Sequence, residues 1–222
     1  MRKDGIAAIG IILGLICAIA SCILAITFTY TEIPIRNAKL QAMDKALKAV
    51  LPEFDNAPAN EELKVDYPGR EIVFYPAKKN NRLVGIAASA VSPKGYSGNL
   101  RVIAGISPDG KIITVIVTEK NETPGLGTAV TDRVEQKTIF SLLGKSCGAG
   151  GLPANPVLDS FQGKDVSTAP WKVKKDGGEI ESVTGATISS RAVTDAVNMI
   201  AAAYTENRED ILKKFQKSEG MQ

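Results

Sequence analysis

Residues 5–31 form an apolar stretch near the start of the chain, GIAAIGIILGLICAIASCILAITFTYT. No charged residue occurs between Asp4 and Glu32. As a helix this stretch would be roughly 40 Å long at ~1.5 Å per residue, which is enough to cross a bilayer core of ~30 Å. The sequence therefore predicts one transmembrane helix over residues 5–31, with the lipid bilayer as its surroundings.

Charges next to this stretch predict its orientation. Arg2 and Lys3 directly precede it, and positively charged flanks stay on the cytoplasmic side of a membrane. Residues 1–4 are therefore predicted to be cytoplasmic, and the chain after Glu32 is predicted to lie on the extracytoplasmic, or periplasmic, side of the cell (inner) membrane. Phe28 and Tyr30 suit the far interface.

Two alternatives involve removal of the segment. A cleaved signal peptide has a shorter apolar core and a small-residue cleavage site. The sequence Ile19-Ala20-Ser21-Cys22 resembles a lipoprotein processing box, which would make Cys22 a lipidated N-terminus. The apolar run continues past Cys22 as Ile23-Leu24-Ala25-Ile26, where a lipoprotein would turn polar. An uncleaved span is favoured, with Cys17 and Cys22 facing lipid or a neighbouring helix.

Composition excludes several kinds of site. The 222 residues include no histidine and three cysteines, Cys17, Cys22 and Cys147, without a C-x-x-C motif. Ser-His-Asp and Cys-His catalysis, imidazole zinc sites and a cysteine-held iron–sulfur cluster are thus not expected, nor is any metal site or catalytic residue. The net charge of +3, without a basic run among aromatics, gives nucleic-acid binding little support. Redox chemistry would have to come from an organic cofactor or a partner.

The rest of the chain is predicted to fold as a linker followed by one α+β domain. Residues 32–60 are a membrane-proximal helix, with an apolar stripe from Ile33 to Val50, and a linker; residues 61–222 are the domain. Its predicted elements are strands at Ile72–Tyr75, Leu83–Val91, Leu100–Ile106 and Lys111–Thr118, a hairpin turn at Ser107–Gly110, a helix at Thr128–Leu143, a loop at Gly148–Pro156, and a helix at Ser189–Lys214 capped by Ser189 or Ser190.

The candidate chemistry lies in Ser182-Val183-Thr184-Gly185-Ala186-Thr187-Ile188-Ser189-Ser190. This is a turn of small residues that runs into a predicted helix start. Gly185 and Ala186 leave the hydroxyl of Thr187 unshielded, and the helix start favours a phosphate placed there. Taken alone, the motif is also compatible with an ordinary turn before a helix.

Two further segments carry a family resemblance. Residues 119–127, EKNETPGLG, follow a predicted strand, and residues 95–98, GYSG, precede the hairpin. Together with Thr184-Gly185-Ala186-Thr187, and in this order, they resemble the FMN-binding domain shared by the G subunit of the Rnf complex and the C subunit of the sodium-pumping NADH:quinone oxidoreductase. The resemblance covers about residues 84–204, the core of the predicted domain.

The resemblance implies a covalent cofactor. In that family FMN is esterified through its phosphate to the last Thr of the motif, here Thr187, by a separate flavin transferase that uses FAD. One FMN per chain is expected. The other residues that the resemblance assigns to the cofactor are Thr184, Gly185 and Ala186 in the recognised turn, and Tyr96, Glu122, Thr123, Gly125 and Leu126 along the flavin, with Leu126 on the ring. Asn121 departs from the family, where many relatives have histidine.

The chain length is closer to that of the Rnf protein. The resemblance then implies an electron-relay subunit of an ion-translocating ferredoxin:NAD oxidoreductase, a translocase, with no independent turnover. Its partners would be the other membrane and redox subunits and the flavin transferase. The alternatives are the equivalent FMN subunit of a sodium-pumping NADH:quinone oxidoreductase and an anchored extracytoplasmic binding module without a redox role. A free-standing flavin reductase would need a second substrate site, which the sequence does not show.

Four further residues have two interpretations each. Trp171 could stack near the flavin, although packing in the core or at an interface is favoured. Lys172, Lys174 and Lys175 are expected to be a solvated face, with steadying of the FMN phosphate as the alternative.

Overall fold

A computed structural model describes residues 3–133 and 152–217 of the chain. The chain divides into two compact units, Met1–Met43 and Asp44–Gln222. Parts of two sequence predictions fall outside the described residues: residues 134–143 of the helix at Thr128–Leu143 and residues 148–151 of the loop at Gly148–Pro156. Cys147 also lies outside them.

Helix α1 is one continuous helix, Lys3–Val50, with Pro34 inside it. Its most apolar window has a mean hydropathy of 2.9, and none of that window is buried. Among the described residues, α1 is the one helix long and apolar enough to cross a membrane. The predicted membrane-proximal helix is part of the same element, and the exact limits of the span within α1 stay a prediction.

The second unit is built on a five-stranded antiparallel sheet in the order β1-β2-β3-β4-β5. Three of its strands contain the predicted ones, and β5 begins and ends one residue after the strand predicted at Lys111–Thr118. The predicted hairpin turn is confirmed, because Gly110 has a φ of +89° and Ser107 N donates to Lys111 O at 2.8 Å. The remaining strand, β1, was not predicted, although its residues Leu63, Val65 and Tyr67 alternate with the charged Lys64 and Asp66 as in a half-buried strand. The strands are β1 Leu63–Tyr67, β2 Arg70–Lys79, β3 Arg82–Gly95, β4 Gly98–Ile106 and β5 Ile112–Glu119.

One face of the sheet packs against the long C-terminal helix. Side chains alternate across a strand, and alternate residues in the middle of the sheet enter the main core: Ile72 and Phe74 of β2, Ile86, Ala88 and Ala90 of β3, and Leu100, Val102, Ala104 and Ile106 of β4. Helix α4, Thr187–Lys217, covers this face and departs from helical backbone angles at Asn207. The predicted apolar face of this helix is confirmed: its four members, Val193, Val197, Ile200 and Tyr204, are all buried in the core. The α+β class is therefore confirmed.

The opposite face of the sheet packs against the end of α1 and the residue that follows it. A Cβ built on Gly105 would lie 2.0 Å from the carbonyl oxygen of Val50, and one built on Gly85 would lie 3.2 Å from Leu51 Cδ2. Val50 and Leu51 are both buried. The end of α1 therefore packs at backbone distance against β4, and only glycine fits at Gly105.

The helix predicted at Thr128–Leu143 is wrong in extent. Helix α2 covers only Thr128–Thr131, and Asp132 is extended, with a φ of −99° and a ψ of 138°. The side-chain amide of Asn155 explains the early end, because its Nδ2 donates to the carbonyls of Ala129, Val130 and Asp132. These are carbonyls that a longer helix would use for its own hydrogen bonds.

Asn155 also starts the next helix. Its Oδ1 accepts hydrogen bonds from Val157 N at 3.0 Å and Leu158 N at 3.1 Å. This is the N-cap of helix α3, Pro156–Asp159, which begins at the last residue of the predicted loop. One buried amide thus ends α2 and begins α3.

The close approach at Gly105 gives a stability prediction. We expect Gly105→Ala to lower the free energy of unfolding by about 2–3 kcal/mol, because the new methyl group meets a backbone oxygen that cannot move away. Gly85→Ala is the matched control and should lose about 1 kcal/mol or less, since its methyl group meets side-chain and ring carbons that can shift. Urea unfolding of the full-length protein measures both; equal losses would contradict the steric explanation.

Candidate functional site

Three separate segments meet at a cleft with a volume of about 440 Å³. They are the turn between β3 and β4, the loop after β5, and the start of α4. Seven of the residues that the resemblance assigned to the cofactor line the cleft: Tyr96, Glu122, Thr123, Leu126, Gly185, Ala186 and Thr187. Thr184 and Gly125 do not line it. Three further lining residues were not predicted to belong to the cofactor site: Gly127, Ile188 and Ser189. A fourth, Lys175, was named only as an alternative contact for the FMN phosphate, and of the three lysines in that interpretation it is the one that lines the cleft.

The β3–β4 turn holds Tyr96 at the edge of the cleft. Gly95 pairs with Gly98, which has a φ of +120°. A Cβ on Gly95 would lie 2.3 Å from Gly98 O and 3.0 Å from Glu122 Oε1. The two glycines of the Gly-Tyr-x-Gly pattern are thus required by backbone geometry, and Tyr96 between them is 66% exposed.

The loop after β5 is closed by its own hydrogen bonds. Leu126 N and Thr128 N both donate to Thr123 O at 3.3 Å, and Gly125 N donates to Thr128 Oγ1 at 2.8 Å. Gly125 has a φ of +82°, which favours glycine. Gly125 therefore shapes the loop, while Leu126 lines the cleft and is 51% exposed.

The carboxylate of Glu122 joins all three segments. Its Oε1 accepts a hydrogen bond from Tyr96 N at 3.1 Å, and its Oε2 accepts one from Ser189 Oγ at 2.8 Å. Glu122 is 9% exposed, and a Cβ on Gly127 would lie 2.5 Å from Oε2. Both carboxylate oxygens are therefore committed to positioning the walls of the cleft.

Helix α4 begins two residues before the predicted start. Gly185 has a φ of +87°, Ala186 N donates to Val183 O, and Ser190 N donates to Ala186 O, so Thr187 is the first helical residue. The predicted cap by Ser189 or Ser190 is wrong, because both are buried in the first turn. Their hydroxyls bond elsewhere: Ser189 donates to Glu122 and Ser190 to the carbonyl of Ala186.

Thr187 lies where the helix start meets the cleft. Its side chain is partly exposed, and Lys175 Nζ donates to its Oγ1 at 3.2 Å. The first turn of a helix has backbone N–H groups without an acceptor inside the helix. Apolar side chains stand on the same cleft, since Leu126 is half-exposed and Ile188 is 47% exposed.

Lys175 belongs to a compact loop beside α4. Lys174 N donates to Ile180 O at 2.7 Å, and Gly177 adopts a φ of +79°. Asp176 binds Arg191 of α4 through two hydrogen bonds, at 2.6 and 2.8 Å, and these hold the pKa of Asp176 below its usual range. The loop is thereby fixed to the helix that presents Thr187.

The chain is similar to known proteins over most of its length. Residues 95–202 match the family described as the FMN-binding domain. The chain is 33% identical over 214 residues to the G subunit of the ion-translocating oxidoreductase complex of Vibrio parahaemolyticus, covering 90% of this chain and 92% of that protein. The chain belongs to this G-subunit family.

The chain is similar to other members of the G-subunit family to about the same extent. The protein of Pseudomonas aeruginosa is 31% identical over 215 residues, covering 91% of this chain and 90% of its own length. The G subunit of the Na⁺-translocating ferredoxin:NAD⁺ oxidoreductase complex of Acetobacterium woodii is 31% identical over 209 residues, covering 88% of this chain and 90% of its own length. The resemblance stated from the three motifs is thus confirmed, and the chain carries an FMN-binding domain.

The cleft has the chemistry that FMN requires. A flat apolar ring system needs exposed apolar side chains, which Leu126, Ile188 and Tyr96 provide. A phosphate needs hydrogen-bond donors and positive charge, and both are present next to Thr187, in the first turn of α4 and in Lys175. The residues present therefore fit the cofactor.

Two residues with open interpretations lie away from the cleft lining. Trp171 is buried, packs edge-to-face on Phe161 with ring centroids 5.9 Å apart, and donates its indole N–H to Thr168 Oγ1. The packing interpretation is confirmed. Asn121 is exposed and does not line the cleft.

The bridging role of Glu122 gives a second prediction. We expect Glu122→Ala to lower the free energy of unfolding by about 1–3 kcal/mol, because Tyr96 N–H and the buried Ser189 hydroxyl lose their acceptor. The matched control is Glu119→Ala, three residues earlier, where an exposed carboxylate pairs with Arg101 and the loss should stay below about 1 kcal/mol. Denaturant unfolding without flavin measures both; an unchanged midpoint for Glu122→Ala would refute the bridge.

Proposed function

We propose that this chain is an electron-relay subunit that carries one FMN, esterified through its phosphate to Thr187, within an ion-translocating ferredoxin:NAD oxidoreductase complex. The observation that carries the proposal is the position of the Thr187 hydroxyl. It is partly exposed at the first residue of α4, lines the cleft, and has a lysine amine 3.2 Å away.

The local geometry supports attachment by a separate enzyme. Gly185 and Ala186 precede Thr187 without a large side chain that could cover its hydroxyl. A transferase needs access to that oxygen, and a phosphoester formed there would stand at the N-terminal end of α4, where backbone N–H groups and the helix dipole favour negative charge. Covalent attachment by a flavin transferase is therefore consistent with the turn.

The same cleft supports a role for the ring system in electron transfer. When bound, FMN supplies the one-electron and two-electron chemistry. Leu126 and Ile188 give the ring an apolar surface, and Tyr96 offers an exposed aromatic edge. The chain's own residues bind and orient the cofactor, so the protein works as part of a translocase and has no turnover of its own.

The partners follow from family membership and from α1. Relatives are named as subunits of ion-translocating complexes, one of them a Na⁺-translocating ferredoxin:NAD⁺ oxidoreductase. The chain would therefore assemble with the other membrane and redox subunits, with α1 in the bilayer. A covalent link keeps the flavin on the protein outside the cytoplasm, where a dissociated cofactor would be lost.

Substitution of the threonine tests the attachment. After co-expression with a flavin transferase, we expect Thr187→Ala to lose all flavin fluorescence on a denaturing gel and the added mass of FMN, because the nucleophilic oxygen is gone. Thr187→Ser, which keeps a hydroxyl, should retain part of the attachment. The full-length protein is the sample in each case.

Thr118→Ala is the matched control for Thr187→Ala. Thr118 is an exposed threonine near the end of β5, outside the recognised turn, and it does not line the cleft, so this variant should keep its covalent flavin. Fluorescence that persists in Thr187→Ala, or that is lost equally in Thr118→Ala, would remove Thr187 as the attachment residue.

The proposed orientation makes a separate prediction. Because Arg2 and Lys3 precede α1, the FMN-binding domain should face away from the cytoplasm. Protease added to intact spheroplasts should digest the domain while a cytoplasmic marker protein stays whole. Digestion only in inside-out vesicles would show that the domain faces the cytoplasm, and it would leave the flavin proposal unaffected.

A further inference from the structure

The charges on the cleft are few and have distinct uses. Among the residues that line it, Glu122 is the one carboxylate and Lys175 is the one cation. Both oxygens of Glu122 already accept hydrogen bonds from the protein. The carboxylate is therefore occupied in holding the cleft together, and the cation remains available to a ligand.

Lys175 differs from the charged residues around it. Lys174 forms a salt bridge with Glu181, and Asp176 forms one with Arg191. Within the two described ranges, no salt bridge joins Lys175 to a carboxylate, and its amine instead donates to Thr187 Oγ1. Of the lysines in this loop, Lys175 is thus the one aimed at the candidate acceptor oxygen.

The loop that carries Lys175 is held in place. A Cβ on Gly178 would lie 2.1 Å from Lys172 O, and Ile180 N donates to the same oxygen at 3.1 Å. The paired hydrogen bonds from Arg191 to Asp176 tie the neighbouring residue to α4. The backbone on both sides of Lys175 is therefore fixed relative to Thr187.

We propose that Lys175 is the counter-ion of the phosphodiester that links FMN to Thr187. This inference rests on the proposed function and assigns one residue to the charge that the linkage creates. The phosphorus atom would be bonded to Oγ1, the atom that Lys175 Nζ already contacts, and a phosphodiester keeps one negative charge at neutral pH. A charge-assisted hydrogen bond from the ammonium group then replaces the present bond to the hydroxyl.

A comparison of flavin-loaded and flavin-free protein measures this pairing. Each full-length variant is prepared with and without the transferase in the same detergent, and the thermal unfolding midpoint is followed by circular dichroism. The increase in midpoint that FMN attachment causes should be smaller in Lys175→Gln than in the wild type by about 1–3 °C at low salt. The difference should shrink in about 1 M salt, because ions screen an exposed pair.

Two further variants separate charge from a general change in the loop. Lys172→Gln removes the same charge from an exposed position that does not line the cleft. FMN attachment should raise its unfolding midpoint by as much as in the wild type. Lys175→Arg keeps the charge and should retain most of the increase in unfolding midpoint that FMN attachment causes in the wild type. The ³¹P resonance of the phosphodiester should shift in Lys175→Gln and not in Lys172→Gln.

The outcomes distinguish the two proposals. Loss of attachment in Lys175→Gln, with attachment kept in Lys172→Gln and Lys175→Arg, would also support the pairing. If the wild type carries covalent flavin, but Lys175→Gln and Lys172→Gln show the same increase in unfolding midpoint on FMN attachment and the same ³¹P resonance, this inference alone would be overturned. A wild type that carries no covalent flavin after treatment with the transferase would overturn the proposed function, and this inference with it.

Discussion

The cleft depends on one buried carboxylate that joins parts of the chain far apart in sequence. Glu122 accepts a hydrogen bond from the backbone of Tyr96, 26 residues earlier, and another from the hydroxyl of Ser189, 67 residues later. An alkyl side chain of the same size would leave the buried Ser189 hydroxyl and the Tyr96 N–H without their acceptor. The glycines on either side are equally constrained, since any side chain at Gly95 or Gly127 would meet this carboxylate.

The domain around Glu122 supplies the rigidity that this bridge needs. The loop leaves β5, whose register is set by β4, and continues into α2, which Asn155 ends. Arg133 adds a second link: its guanidinium donates to the carbonyl of Val115 in β5 and to Asp159 of α3, and its side chain is almost wholly buried. A loop fixed at both ends places Glu122 and Leu126 with little freedom. Packing of α4 against β3 then fixes the third wall.

Polar and apolar surfaces are separated within the cleft. Thr187, Lys175 and the first turn of α4 form a polar region with positive charge, whereas Leu126, Ile188 and Tyr96 expose apolar or aromatic groups. A molecule with a flat apolar ring and an anionic end matches both regions at once. This division fits the FMN-binding domain of the G-subunit family, and under the proposed function the flavin would be held by its phosphate end with its ring near the surface. A ring at the surface suits exchange of electrons with a neighbouring protein.

Local patterns in the amino-acid sequence were enough to predict several features. An uninterrupted apolar run defined the candidate membrane helix, and runs of β-forming residues with a hairpin turn located β2 to β5. The spacing of Val193, Val197 and Tyr204 defined the buried face of α4, and three short motifs identified the family. These features follow from periodicity and backbone preference, which neighbouring residues set. The other features emerged only from the folded domain, because each depends on a contact between distant segments. Asn155 ends α2 at Thr131. Because α4 begins at Thr187, Ser189 lies inside its first turn and donates to Glu122. The backbone of Lys175, among three similar lysines, is placed so that its amine reaches Thr187.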